Sequence, residues 1–582
     1  TIDSTHVKSP HAAQDTDASL TKPNALRSDV ASKVFGEFEY IHDRVLPHMC
    51  HGMVFRPDTL TADVIAHDMQ ALVHHVQAQN GVLQVHQNGL LLGVLTETEY
   101  ALSKIVRYIE DGVAQGKFWC CHAEVPDAHD LPNWLKAQAL DTTVVADITS
   151  EAPTNAVQNL SAEFHRPYLQ HASIGLCCAL AQWTDDAQQL EVWSHSQGIY
   201  NLRRDIALAF DMAPEQVQVS HAEGAGCYGH NGADDVAFDA AWIAKHANGR
   251  PVRVVWSRRD EMIWSPIAPA MTVRVTAKVD AQHQLLDWQQ EVWSQGHSSR
   301  PGRAATPALL GSWQTEKPFP ALEPINVAAV AGAGAERNSV PPYRASHIQV
   351  LANRVLGWPM RTSALRALGA HANVFAAESM MDELAHASNT DPLAYRLRLL
   401  DDARARDVLQ AVADASQWNA LRQQCQLQEG RGVGVAYARY KGKGAYCAVA
   451  AQVHVTDMVR VENLWVAADV GLVVQPDGAK LQLEGGAIQS TSWALKEAAQ
   501  FDETSITSSD WEHYPILRFS EVPQVHVQLM ARSDQPSLGA GEAAQGPTTA
   551  AIANAVFHAL GVRVHRLPLT PEALTQAINA LA

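Results

Sequence analysis

The chain has 582 residues, 47% of them apolar and 18% charged, and a formal charge of −18. That length exceeds what one hydrophobic core can use, so roughly two to four domains are expected. The acidic balance leaves no basic face for phosphate and excludes a nucleic-acid partner, and no apolar run approaches the roughly 20 residues of a membrane-spanning helix.

In chain order, residues 1–24 are polar and aperiodic and are predicted to form an N-terminal tail. From Lys33 to about Pro132 the pattern is mixed, with strands expected at Val82–Val85 and Leu90–Leu95 and a helix near Glu97–Glu110. Thr149–Ala156 is a polar linker by composition. A large α/β block extends to about Leu400 and a second from about Gly430 to the end. Within these blocks, Ala370–Ala387 spaces Val374, Phe375, Met381 and Leu384 as a helix. A second helix follows Gly546-Pro547, carries Ile552, Val556 and Leu560 on one face, and stops at Gly561. A third has Thr570 as N-cap, Pro571 in its first turn, and Leu574, Ile578 and Leu581 as its apolar stripe.

The eight cysteines are scattered, without C-x-x-C or a four-cysteine spacing, which predicts reduced core thiols and places any iron–sulfur cluster on another chain. The 27 histidines, including His42, His48, His51, His74 and His75, show no compact ligand spacing, so no protein-ligated metal is expected.

The sharpest local motif is His221-Ala-Glu-Gly224-Ala-Gly226-Cys-Tyr228-Gly229-His230-Asn-Gly232. It follows a strand-like Val217–Val219 and precedes a helix-like Val236–His246 and a further strand, Val252–Trp256. This spacing permits a dinucleotide-binding loop, a structural turn, or bare backbone N–H groups facing a polarised oxygen.

Four segments in order carry a family resemblance: Glu191-Val-Trp-Ser-His-Ser-Gln197-Gly198, the Gly224–Gly229 loop, Thr362-Ser-Ala-Leu365-Arg366-Ala-Leu-Gly369, and Leu538-Gly-Ala-Gly541-Glu542. Between the last two lies Asp469-Val-Gly471 followed by Gln482-Leu-Glu484-Gly485. Together they resemble the molybdenum-cofactor-binding subunit of xanthine-oxidase-family enzymes over about residues 30–580. The sub-pattern is most similar to bacterial nicotinate-dehydrogenase-type subunits, through Tyr514-Pro-Ile-Leu-Arg518-Phe-Ser-Glu521 and Gly541-Glu542-Ala-Ala-Gln545-Gly546-Pro547.

The resemblance implies a mixed α/β fold: a hammerhead-like domain over 25–147 and two elongated molybdenum-cofactor-binding domains over 155–400 and 401–582. It implies that the metal is held by a pterin and by no side chain, with the cofactor in its cytosine dinucleotide form. Glu542 would be the catalytic base. Gln197 would offer its amide to the apical oxygen, as would the backbone of Gly226, Cys227, Tyr228 and Gly229 and that around Leu365 and Arg366. Gln482, Gly541 and Gln545 would contact the cofactor. Such preorganised dipoles act where negative charge develops. Trp313, His371, Tyr440 and Tyr446 are candidates for an aromatic substrate pocket.

Departures from the family pattern narrow the expected substrate. Gly232 stands where purine-oxidising relatives carry a glutamate, and Ser363-Ala-Leu365 precedes Arg366 without the cysteine of carbon-monoxide-oxidising relatives. The M-G-Q-G segment is missing, and Tyr440-Lys-Gly-Lys443-Gly-Ala-Tyr446-Cys447 stands in its region. The expected reaction is hydroxylation of an electron-poor carbon in an N-heteroaromatic, nicotinate-like substrate, with water as oxygen source. Aldehyde oxidation on the same cofactor, a nicotinamide-dependent dehydrogenase and a non-catalytic scaffold are the alternatives. Implied partners are a small [2Fe–2S] subunit and an FAD or cytochrome c (haem c) subunit. The expected compartment is the cytoplasm, with a periplasm-facing placement left open.

Overall fold

The computed structural model describes residues 27–59, 61–122, 130–150, 156–184, 186–357 and 360–580. The expected tail at 1–24, Leu581 and residues 151–155 of the expected linker lie outside them. Among the described residues no helix is long and apolar enough to cross a membrane.

The fold is the mixed α/β arrangement expected. A seven-stranded sheet runs, in spatial order, Val217–His221, Leu190–Ser194, Cys178–Trp183, Val252–Val255, Cys50–Phe55, Leu91–Thr96 and Val82–Asn88. The N-terminal strands therefore join a sheet built largely from residues beyond 177: Cys50–Phe55 pairs in parallel with Val252–Val255 in the register Cys50↔Val252. Leu140–Thr149, which begins within the expected hammerhead span, is an edge strand of a separate five-stranded sheet, with His347–Val355, Leu285–Ser294, Met271–Val279 and Gln158–Arg166. The hydrogen-bonded sheets thus cross the expected boundary near 147.

The strand order also settles the topology of the glycine loop. Val217–His221 and Val252–Val255 are separated by two strands, and Val252–Val255 is antiparallel to its neighbour Cys178–Trp183. A dinucleotide fold needs these strands adjacent in a βαβ unit, so the loop serves another purpose. The helix between them, Ala233–Ala244, is buried along its whole length beneath the sheet.

The predicted helices Ala370–Ala387 and Gln545–Leu560 form as expected, and Gly561 closes the second with φ 69°. They pack on each other, the first against the five-stranded sheet and the second against a four-stranded sheet ordered Arg431–Arg439, Tyr446–Val455, Val459–Asp469 and Gln524–Leu529. Gln545–Leu560 lies tight on its sheet because Gly432 and Gly434 lack side chains: a Cβ at these positions would stand 1.9 Å from the Ala555 carbonyl and 2.3 Å from the Ala551 carbonyl. Pro571–Asn579 starts with Thr570 accepting from Ala573 N. Its expected stripe is shorter than predicted, with Leu574 buried and Ile578 46% exposed, because only its first turns face the core.

All eight cysteines are free. Six are buried, as core thiols should be, but Cys120 is exposed and Cys121 half-buried in the short pairing of Ala62–Val64 with Trp119–Cys121.

Candidate active site

Because Ala370–Ala387 and Gln545–Leu560 are neighbours, the loops that enter them, 362–369 and 538–544, lie side by side. A third helix, Pro476–Leu495, packs on Gln545–Leu560 and turns Gln482 and Gln489, seven residues apart, to one face. Arg366 ties all three together. Its Nε donates to the Gly541 carbonyl at 2.6 Å, Nη1 to Gln489 Oε1 at 3.3 Å, and Nη2 to the Gln482 carbonyl and Oε1 at 3.0 and 3.1 Å. Gln545, fully buried, completes the junction when its amide is oriented to satisfy both neighbours, accepting from Arg366 Nε at 2.7 Å and donating to the Glu542 carbonyl at 3.0 Å.

The glycine loop is fastened to the same junction. His230 N donates to the Ala364 carbonyl and Arg366 N to the Tyr228 carbonyl, both at 2.8 Å. Gly229 has φ 139°, and a Cβ there would sit 2.0 Å from the Ala364 carbonyl oxygen, so only glycine permits the approach. Tyr228, Ala367 and Leu368 also adopt positive φ (53°, 75° and 50°) without being glycine. Backbone held in this sparsely populated region concentrates at functional sites.

Glu542 projects from this junction with its side chain 32% exposed. Oε1 accepts from Ala367 N at 2.9 Å, and Oε2 accepts from the Tyr440 hydroxyl at 2.6 Å. Arg337 Nη1 donates to the same Tyr440 oxygen at 2.6 Å and stands 3.9 Å from Glu542 Oε2. Burial, followed by the neighbouring Glu542 carboxylate, pushes the Tyr440 hydroxyl far above its ordinary range, so it remains a donor. Burial lowers the Arg366 and Arg300 guanidinium groups, while Glu542 works against that shift in both.

Gln197 immediately precedes the helix Ile199–Ala209 and lines an open cleft of 840 Å³ with His195, Gly224, Gly226 and Cys227. Its Oε1 accepts from Arg300 Nη2 at 2.9 Å. Cys227 is buried against His195, and burial raises its thiol to about 12, which keeps it protonated.

A cofactor would meet a coherent donor set here. The amide oxygens of Gln197, Gln482 and Gln489 are each taken by an arginine, and their NH₂ groups have no protein partner among the described residues. The N–H groups of Cys227, Tyr228 and Gly229 likewise make no backbone hydrogen bond there. Outward-facing amide donors suit a ligand rich in oxo, phosphate and pterin acceptors. The residues present fit a molybdenum–pterin cofactor.

Of the expected site residues, Arg366, Gln482, Gly541, Gln545, Tyr440 and the Tyr228 backbone meet at the Glu542 junction, while Gln197, Gly226 and Cys227 line the cleft that Arg300 borders through its bond to Gln197; four expectations need adjustment. The N–H of Arg366, in the backbone expected to face the ligand oxygen, is committed to the Tyr228 carbonyl. His371 is buried between helices, bonded to Thr549 Oγ1 at 2.8 Å and edge-on to Trp493. Trp313 is buried with its indole donating to the Pro307 carbonyl. Tyr446 is buried, lies between Arg404 and Arg439 and donates to Asp402. Of the four aromatic candidates only Tyr440 touches Glu542. Arg300, Arg337, Ala367 and Gln489 were absent from the expected set; no motif marks them, and their roles arise from tertiary placement.

This α/β scaffold, with paired loops presenting one carboxylate beside Arg366 and its glutamine partners, is that of a molybdopterin-binding class of protein. Residues 135–315 and 363–523 each match a family described as a molybdopterin cofactor-binding domain. The chain is 36% identical to a subunit of the nicotinate dehydrogenase of Pseudomonas putida over 97% of its own length and 47% of that relative. It is 31% identical to the beta subunit of isoquinoline 1-oxidoreductase of Brevundimonas diminuta over 62% of its length and 43% of that relative. Quinoline 2-oxidoreductase from Pseudomonas putida 86 shares its fold, with a TM-score of 0.74 at 13% identity, covering 96% of this chain and 98% of that one. The chain belongs to the molybdopterin-binding oxidoreductases of the xanthine oxidase family. It spans about half the length of the curated relatives it matches.

Proposed function

We propose that the chain is the catalytic, cofactor-holding part of a molybdenum hydroxylase acting on an electron-poor carbon of an N-heteroaromatic, nicotinate-like substrate. The observation that carries this reading is Glu542, held by Ala367 N–H and the Tyr440 hydroxyl at the junction where Arg366 also takes the amide oxygens of Gln482 and Gln489. The names of two relatives, a nicotinate dehydrogenase and an isoquinoline oxidoreductase, support the substrate class.

When bound, the cofactor supplies two-electron oxidation and an oxygen that derives from water. The protein does the rest. Gln197, Gln482, Gln489 and the loop N–H groups bind and orient the cofactor. Glu542 removes the proton of the oxygen delivered to the ring; its two oxygens each have one donor and still carry lone pairs for this task. Arg300 and Arg366 both lie within electrostatic reach of Glu542 and favour negative charge developing beside it. We further propose the cytosine dinucleotide form of the cofactor, with electrons leaving to a small [2Fe–2S] subunit and on to FAD or haem c on a partner. The Pseudomonas putida relative is named as one subunit of its dehydrogenase, which supports a multi-subunit assembly.

Glu542→Gln tests the reading. A general base is worth about 10²–10⁴ in rate, so kcat on nicotinate should fall by that factor while molybdenum and pterin contents stay at the wild-type level. Unchanged turnover would refute the assignment, and a panel of aldehydes beside N-heterocycles separates the two substrate classes.

A further inference from the structure

We infer that Tyr440 and Arg337 form a positioning pair that holds the Glu542 carboxylate in its working orientation, an inference that rests on the base assignment above. The segment from Tyr440 replaces the family's missing M-G-Q-G stretch. It is a short turn, Tyr440–Gly442, following the strand Arg431–Arg439, with Lys441 in left-handed conformation at φ 57°. Two hydrogen bonds fix the turn to the segment carrying Arg337: Asn338 Nδ2 donates to the Arg439 carbonyl and Lys441 N donates to Asn338 Oδ1, both at 2.8 Å.

Arg337 is itself immobilised. Its Nε donates to the Gly332 carbonyl and Nη2 to the Ala333 carbonyl, each at 2.7 Å, leaving Nη1 for the Tyr440 oxygen at 2.6 Å. The phenol in turn donates to Glu542 Oε2 at 2.6 Å. Donor follows donor along this chain, so each bond polarises the next. With Ala367 N on the other carboxylate oxygen, rotation of the Glu542 carboxylate breaks at least one bond. Without the hydroxyl, Oε2 keeps only the ion-pair contact with Arg337 Nη1 at 3.9 Å, beyond hydrogen-bond distance. A carboxylate held this way meets the geometric demand of proton abstraction, where misplacement of about 1 Å costs on the order of 10²-fold.

The charged and titratable groups facing Glu542 come from every neighbouring segment: Arg337, Tyr440, Lys441, Arg366 and Arg300. All the cations remain in Tyr440→Phe, so that variant isolates the hydroxyl.

The test compares wild type, Tyr440→Phe and Glu542→Gln in the purified complex. Tyr440→Phe is expected to lower kcat by about 10- to 100-fold, the range found for outer-shell partners of active groups, with KM within about twofold. The infrared carboxylate bands of Glu542, isolated by subtracting the Glu542→Gln spectrum, should change in position and splitting when the phenol donor to Oε2 is lost. Those bands are read whether or not molybdenum is retained. Wild-type kcat with unchanged infrared carboxylate bands in Tyr440→Phe overturns the positioning role, and an inactive Glu542→Gln then leaves the base assignment standing. Full turnover in Glu542→Gln instead removes the base assignment and this inference with it.

Discussion

The two walls of the proposed site are built differently. On one, Glu542 has a partner on each carboxylate oxygen, and Arg366 bridges three separate segments beneath it. On the other, the Gln197 side chain makes one hydrogen bond among the described residues, to the Arg300 guanidinium, and borders an open cavity. The chain alone therefore holds the Glu542 carboxylate in place, while the Gln197 side presents an amide NH₂ without a protein partner among the described residues. Rigid groups placed before the reaction avoid reorganisation during it, and a loosely held donor can follow a ligand that enters from solvent.

The strongest way to break this contrast is to unfasten the walls from each other. Gly229→Ala adds a Cβ 2.0 Å from the Ala364 carbonyl and forces alanine to φ 139°. The expected result is loss of pterin and molybdenum from the purified protein and a stability cost of about 3 kcal/mol, read by elemental analysis and thermal unfolding. Wild-type cofactor content would show that the two loops need not touch. Next in size, Gln197→Ala should reduce kcat by about 10- to 100-fold, less than the base substitution, because one donor of several is removed; equal losses for the two variants would erase the distinction between the walls.

The smallest effect concerns the foundation of the anchored wall. Glu497 follows the helix carrying Gln482 and Gln489 and is fully buried; burial raises its carboxyl from 4.5 to about 7, against hydrogen bonds from Ser492 and Tyr514. Its folded value exceeds the unfolded one, so the native state holds the extra proton between those limits. Stability from this group is complete below 4.5 and is lost as pH rises to about 7. Glu497→Gln should flatten the fall in melting temperature over that window, and an unchanged slope would exclude Glu497 as its source.

Much of this architecture is legible in the residues themselves. Pro547 and Gly561 bracket a helix, Thr570 caps another, and the spacing of Val374, Phe375, Met381 and Leu384 marks a third, because these signals are local. Glu542, Arg366, Gln482 and the glycine loop were legible through their motifs, and the structure gathers them. The dinucleotide-like spacing around Gly224 misled on topology because two strands from earlier in the chain insert between the strands that flank it. Arg337 and Arg300 could not be found by pattern: each acts on a residue about 100 positions away, at separations of 103 and 103 residues for their bonds to Tyr440 and Gln197.

The parallel pairing of Cys50–Phe55 with Val252–Val255 also constrains how the protein is made. Cys50 must wait for Val252 to emerge before that edge is satisfied. At about 5–20 residues per second on the ribosome, the delay is roughly 10–40 seconds, during which an apolar strand edge stands open on the nascent chain. Completion of this sheet is therefore late relative to the synthesis of the strand Cys50–Phe55.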